Sequence, residues 1–206
     1  MSTQEHAAAH VHRDDIGAKM GMWLFLFTEL LLFGGMFFLY SVYRFVNQDA
    51  FHLAAKELNT IIGMFNTAIL LTSSLTMAIS IAAIQKNNRN LSIFFQLLTI
   101  VLALGFMVNK YFEWSAKIHH GIFPGGEELL AKSQGEILFF GLYYVMTGLH
   151  GLHVIIGVVL IGFMTRLTKN GVIRQDSYVK LEAAGLYWHL VDIIWIFLFP
   201  LFYLIT

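Results

Sequence analysis

There is no cysteine in this sequence, and only two of its 206 residues are proline. Without thiols, disulfides, thiolate metal sites and covalent c-type haem attachment are all excluded. Charge is scarce too: charged residues make up 13% of the chain, against roughly 25% in soluble domains. Thirteen basic and thirteen acidic side chains balance to zero, so no basic surface points to nucleic acid. Residues 1–18 are polar and show neither the apolar core nor the cleavage site of a secretory signal. The first apolar run is therefore expected to act as its own insertion signal. Internal repeats, low-complexity stretches and soluble domains are also missing.

What remains is apolar. Hydrophobic residues are 57% of the chain and aromatics 15%, with a mean hydropathy of +0.67. Five runs, each meeting the requirement of about 20 mostly apolar residues for a membrane span, cover residues 19–43, 58–84, 91–112, 136–164 and 178–205. The expected fold is all-α: a polar tail over 1–18, then one five-helix transmembrane domain over 19–206. Short connections make sequential spans antiparallel. The longest loop, 115–135, carries the turn signal Pro124-Gly125-Gly126, with one helical turn expected over 127–132. One side collects eight basic residues: Arg13, Lys19, Lys86, Arg89, Arg166, Lys169, Arg174 and Lys180. The other collects four: Arg44, Lys56, Lys117 and Lys132, with Lys110 near that end. The positive-inside rule then puts the N-terminus and its tail in the cytoplasm and the C-terminus outside.

A few residues contradict their apolar surroundings. Glu29 lies about 14 Å along the helix axis from Met20 at ~1.5 Å per residue. No basic neighbour is within reach on its own helix. An ionisable group this deep reads as proton-active or lipid-contacting; the blander reading is a protonated acid bonded inside the bundle. Residues 147–157, Thr-Gly-Leu-His-Gly-Leu-His-Val-Ile-Ile-Gly, place His150 and His153 at membrane depth. Gly148, Gly151 and Gly157 remove bulk beside them, which lets another helix come close. In the fifth span Glu182, His189 and Asp192 follow spacings of seven and three, so they share a face. The expectation is an interhelical polar cluster of His150, His153, Glu182, His189 and Asp192. Trp188 and Trp195 would shield it or bond through their indole N–H groups. Glu113, beside Lys110 and Trp114, and Glu136, on the face of Tyr143 and Thr147, are supporting candidates. His6, His10 and His12 could catch a metal ion, or simply belong to a solvated tail.

Three membrane-depth histidines are too few for a dihaem bundle or an oxygen-reducing haem–copper site. A single haem between His150 and His189 is imaginable, but the nearby carboxylates favour structural hydrogen bonds. No nucleophile stands beside a base at comparable depth. No catalytic centre, metal site or cofactor is therefore expected in this chain.

The paired-histidine stretch at 147–157 resembles the signature of subunit III of the haem–copper terminal oxidases. So does Glu182-Ala-Ala-Gly-Leu-Tyr-Trp-His-Leu-Val-Asp-Ile-Ile-Trp195. Phe27-Thr-Glu-Leu-Leu-Leu-Phe33, residues 58–74 and Lys110-Tyr-Phe-Glu-Trp114 are similar to further helices of that family, in order. The resemblance runs from about residue 20 to 203. It implies a bacterial plasma-membrane subunit without a redox centre, packed beside the catalytic subunit I and subunit II. A small subunit IV is a further candidate partner. Haem and copper would belong to those partners, which reduce oxygen to water and pump protons with cytochrome c or a quinol as donor. The family also implies phospholipid in a cleft between helices, and support of proton uptake by a buried glutamate that matches Glu29. Two departures matter. Longer relatives have seven spans, the first two forming one wall of the lipid cleft. Gly135-Glu136-Ile137-Leu138 also replaces small hydroxyl residues common there. Two rivals stand beside this reading: an accessory subunit of a nitric oxide reductase, and a small proton-coupled transporter. Against the transporter, no inverted repeat or mid-membrane helix break is visible.

Overall fold

The computed structural model describes residues 15–205. His6, His10, His12 and Arg13 lie outside them. Seven helices follow one another: α1 (Asp15–Val46), α2 (Gln48–Ala55), α3 (Thr60–Gln85), α4 (Arg89–His119), α5 (Glu127–Leu130), α6 (Gln134–Lys169) and α7 (Val179–Tyr203). No strand occurs among the described residues. Five of the helices, α1, α3, α4, α6 and α7, are long and apolar enough to cross a membrane. They are the five spans expected from hydropathy. α1, α4 and α6 run further at their ends than the apolar runs do, because a helix continues into the interface where hydropathy falls.

Local signals start the helices. Asn59 accepts from the N–H groups of Ile61 and Ile62 at 3.0 and 3.2 Å, capping α3. Asn88 does the same for Leu91 at 3.3 Å at the head of α4. At α6, Ser133 and Glu136 form a reciprocal capping box. Glu136 is thus a capping residue at the rim, with Lys132 at 3.8 Å. Two short helices lie at this rim. α5 is the expected turn. α2 falls in a segment read as a plain loop; it buries Phe51, Ala54 and Ala55 and packs on α6. The approach is close: a Cβ on Gly135 would stand 2.6 Å from that of Ala50.

α3, α4, α6 and α7 form a closed ring, each packed on two of the others, and α1 lies outside against α7 and α6. The difference in enclosure is large: 61% of the most apolar stretch of α7 is buried, against 11% for α1. Small residues allow the close packing, as expected for helices that gain little from hydrophobic association in lipid. A Cβ on Gly157 would meet the Trp188 ring at 2.7 Å, and one on Gly148 would meet Trp114 at 3.2 Å. The last carbonyls of α7 have no partner within their own helix. Tyr40 of α1 donates to the carbonyl of Leu201, and Thr60 of α3 to that of Tyr203.

Candidate functional site

The most heavily bonded polar group in the bundle is on α4. A spacing of three puts Lys110 and Glu113 on one face, with Nζ 3.1 Å from Oε2. Tyr143 of α6 and Tyr203 of α7 each donate to Glu113 Oε1 at 2.6 Å. Lys110 in turn donates to Tyr203 Oη at 2.7 Å and Tyr143 Oη at 3.3 Å. Its ammonium also lies 4.9 Å from the Trp195 ring centroid, a cation–π contact. Lysine and glutamate are each only 7% exposed. Three helices therefore converge on one neutral, fully bonded pair, which is how a buried charge is tolerated.

Further charges lead out from it to the rim. Lys117, on the same α4 face, donates to the Glu57 carbonyl at 3.3 Å, and the Glu57 carboxylate pairs with Lys132. Partial burial alone would lower the pKa of Lys132. The hydrogen bond and charge of Glu57, reinforced by Glu136 and Glu128, outweigh it and raise the pKa above the ordinary lysine value. Two clefts flank this half of α4. One, of about 580 Å³ against α3, is lined by Phe65, Asn109, Phe112, Glu113 and Lys117. The other, of about 540 Å³ against α6, is lined by Met107, Lys110, Trp114, Gly148 and Leu152.

Glu29 is held differently. Its Oε2 lies 3.0 Å from Nε2 of His153 on α6. His153 Nδ1 is 2.7 Å from the Leu149 carbonyl, four residues back. A carbonyl oxygen only accepts, so Nδ1 carries a proton and Nε2 faces the carboxyl group. The contact then has two equivalent descriptions: a neutral acid donating to a neutral imidazole, or an imidazolium donating to a carboxylate. Both hold one proton between the two residues and both are neutral. Phe33 packs edge-on to the imidazole with centroids 5.5 Å apart, and Tyr187 donates to the His153 carbonyl at 3.0 Å. The Glu29 side chain keeps 14% exposure, and its neighbours Phe27, Leu30, Leu31 and Leu32 are open on the surface of α1. This pair sits at the hydrocarbon-facing edge of the molecule.

The five residues expected to lock α6 to α7 do not come together. His153 goes to α1. Glu182 pairs with Lys19 at 3.2 Å, near an end of α1 and half in solvent. His189 turns to α3, its Nδ1 2.6 Å from the Ser74 hydroxyl. Asp192, 3% exposed, also has Ser74 as a polar neighbour, but neither carboxyl oxygen reaches hydrogen-bonding geometry. His150 is fully buried between the rings of Phe106 and Trp195, at 5.6 and 5.2 Å, and neither ring nitrogen has a partner among the described residues. Trp188 and Trp195 do bond through their indole N–H groups, yet to Ser73 and Thr67 of α3 at 3.1 and 3.0 Å. Helical spacing had identified which residues share a face; it could not say that α1 and α3 are the neighbours. Glu113, a supporting candidate in the sequence, is the centre of the main buried network. Tyr203 and Lys117 were missed, although Lys110, Glu113 and Lys117 repeat at three and four, a helical stripe of charge. Among the described residues no group of three or more His, Asp or Glu is placed to hold a metal ion.

Known proteins similar to this chain show its family. The profile of the family described as cytochrome c oxidase subunit III matches residues 2–206. The chain is 31% identical over 205 residues to cytochrome c oxidase subunit 3 of Thermostichus vulcanus, covering 97% of this chain and 93% of that one. It is 31% identical over 187 residues to quinol oxidase subunit 3 of Bacillus spizizenii, covering 90% and 85%. It is also 30% identical over 197 residues to the heme-copper oxidase subunit I+III of Aeropyrum pernix; that match covers 91% of this chain but 22% of the longer protein. None of these relatives is named as a nitric oxide reductase subunit or a transporter, so neither rival reading gains support.

Proposed function

This chain belongs to the cytochrome c oxidase subunit III family, and from that premise we propose that it is the redox-silent helical subunit of a bacterial haem–copper terminal oxidase. The oxidase reduces oxygen to water with cytochrome c or quinol as donor. Subunit I is the first partner, a reading supported by the fused I+III relative, with subunit II and a small subunit IV as further ones. Haem and copper sit in those partners. The N-terminus faces the cytoplasm and the C-terminus the outside, in keeping with the eight basic residues on one side and four on the other.

The observation that carries the functional reading is the Glu29–His153 contact. A carboxyl and an imidazole 3.0 Å apart at a hydrocarbon-facing edge can hold a proton without creating net charge, and so without the several kcal/mol that a charge costs at membrane depth. The pair serves as a proton-holding station that sustains uptake by the neighbouring catalytic subunit. Phospholipid covers the exposed α1 face and enters the two clefts beside α4. The Lys110–Glu113 network holds α4, α6 and α7 in register.

The test is a pull-down through a tag fused to the N-terminus, in mild detergent, followed by reduced-minus-oxidised spectra and oxygen uptake. An a- or o-type haem band with oxygen consumption is expected, and the donor that supports uptake names the subtype. Only b- and c-type haem with nitric oxide consumption, or a haem-free preparation stable alone, overturns the reading.

A further inference from the structure

Besides Glu113, the closed ring buries one more carboxyl group among the described residues, that of Asp192 on α7, 3% exposed. It makes no ion pair there. An unpaired charge is costly away from water. A proton on the carboxyl group removes the charge, and that O–H then needs an acceptor, since buried polar groups are hydrogen-bonded. The polar neighbour is Ser74 of α3. Thr72 and Ser73 beside it turn their hydroxyls back to carbonyls of their own helix, those of Ala68 and Leu70. Ser74 reaches α7 instead, where its Oγ lies 2.6 Å from Nδ1 of His189. A hydroxyl has one proton to give and two lone pairs, so Ser74 can accept from Asp192 while donating to His189.

Asp192 and His189 are three residues apart on α7 and so share a face. The imidazole is half-buried, and Leu71 and Leu75 of α3 and Ile193 of α7 are exposed close by in sequence. The three polar groups therefore lead from the interior of the ring to its hydrocarbon-facing surface, along the seam of α3 and α7. Their depth matches that of the Glu29 pair. α6 and α7 run antiparallel, with His150 against Trp195 and Gly157 against Trp188. In that register residue 192 stands opposite residue 153, which bonds to Glu29. Two acid–imidazole sets thus lie at one level of the bundle on different seams: Glu29 with His153 between α1 and α6, and Asp192 with Ser74 and His189 between α7 and α3.

We propose that Asp192, Ser74 and His189 form a second proton-holding relay, with Ser74 as the link between a buried acid and an imidazole at the surface. The Asp192 O–H bond breaks as one forms at Ser74 Oγ, and the proton of Ser74 passes to His189 Nδ1. A carboxylate and an imidazolium result, and the net charge stays zero. That such a proton serves uptake by the partner subunit rests on the function proposed above; where the proton sits does not. Infrared difference spectra of the assembled complex read it directly, because a protonated carboxyl group has a C=O stretch that a carboxylate lacks. The band should be present in the parent and lost in Asp192→Asn. Ser74→Ala removes the acceptor and should move the band to higher frequency, and Ser74→Thr, which keeps the hydroxyl, should restore its position. In deuterated buffer the isotope shift should develop more slowly in Ser74→Ala and His189→Phe than in the parent. Glu29→Gln should leave the band in place whatever it does to oxygen uptake, so the two proposals fail separately. A parent spectrum without an Asp192 band overturns the relay. So does a band whose position and exchange ignore both Ser74 and His189, which would mean an isolated protonated acid.

Discussion

Glu113 and Glu29 are both carboxyl groups in membrane-spanning helices, and they are held in opposite ways. Glu113 accepts from a lysine and two tyrosines belonging to three helices of the closed ring. Glu29 meets one imidazole, from one helix, at the edge of the loosely enclosed α1. A carboxylate with three donors has its charge fixed in place, and protonating it would disturb those bonds together. A carboxyl facing a single titratable ring can exchange its proton with that ring at no change in net charge. The first arrangement holds helices together; the second is the one proposed above to handle protons.

Breaking the comparison from the Glu113 side should have the largest effect. Glu113→Leu leaves Lys110 as a buried cation without its carboxylate, a loss of about 3–5 kcal/mol. It should appear as poor assembly and a lower unfolding midpoint of the detergent-solubilised complex. Lys110→Met combined with Glu113→Leu should recover a good part of that loss, because both charges go together. Tyr143→Phe or Tyr203→Phe removes one donor of three and should cost about 1–2 kcal/mol, measured in the same way. At the rim the effect shrinks: Lys132→Gln breaks a mostly solvated pair worth about 0–1 kcal/mol. Since folding raises the pKa of Lys132, the stabilisation is fully present below the ordinary lysine value of about 10.4. It is lost as pH climbs through the higher folded value. A parent-minus-variant melting difference that instead fades on acidification toward neutral pH would contradict this assignment.

The sequence made the spans legible because a run of apolar residues either fills the bilayer or does not. It also made Glu29, His150 and His153 stand out, since each breaks such a run. Their partners were not legible. Periodicity fixes angles about one helix axis, while contacts depend on which helix lies alongside. α1 took His153 and Lys19 brought Glu182 to the rim, whereas α3 took His189, Trp188 and Trp195. The resemblance on which the motifs were joined carried family and order but no side-chain directions. α2 went unseen because eight residues with three buried apolar positions look like any loop; its surface to lie on comes from other helices, Gly135 and Phe139 of α6 and Tyr40 of α1. The Lys110–Glu113 pair could have been found, for opposite charges three apart on an apolar helix satisfy each other. Tyr203, in the last helical turn, offered no such sign.

The most direct test of the central claim is sustained oxygen uptake by the assembled, haem-replete complex carrying Glu29→Gln, compared with parent and with His153→Gln. The account predicts normal spectra and assembly, with turnover that declines in both variants, because either change removes the shared proton. Undiminished turnover in both variants, in complexes of normal composition, would contradict it and leave Glu29 as a packing residue.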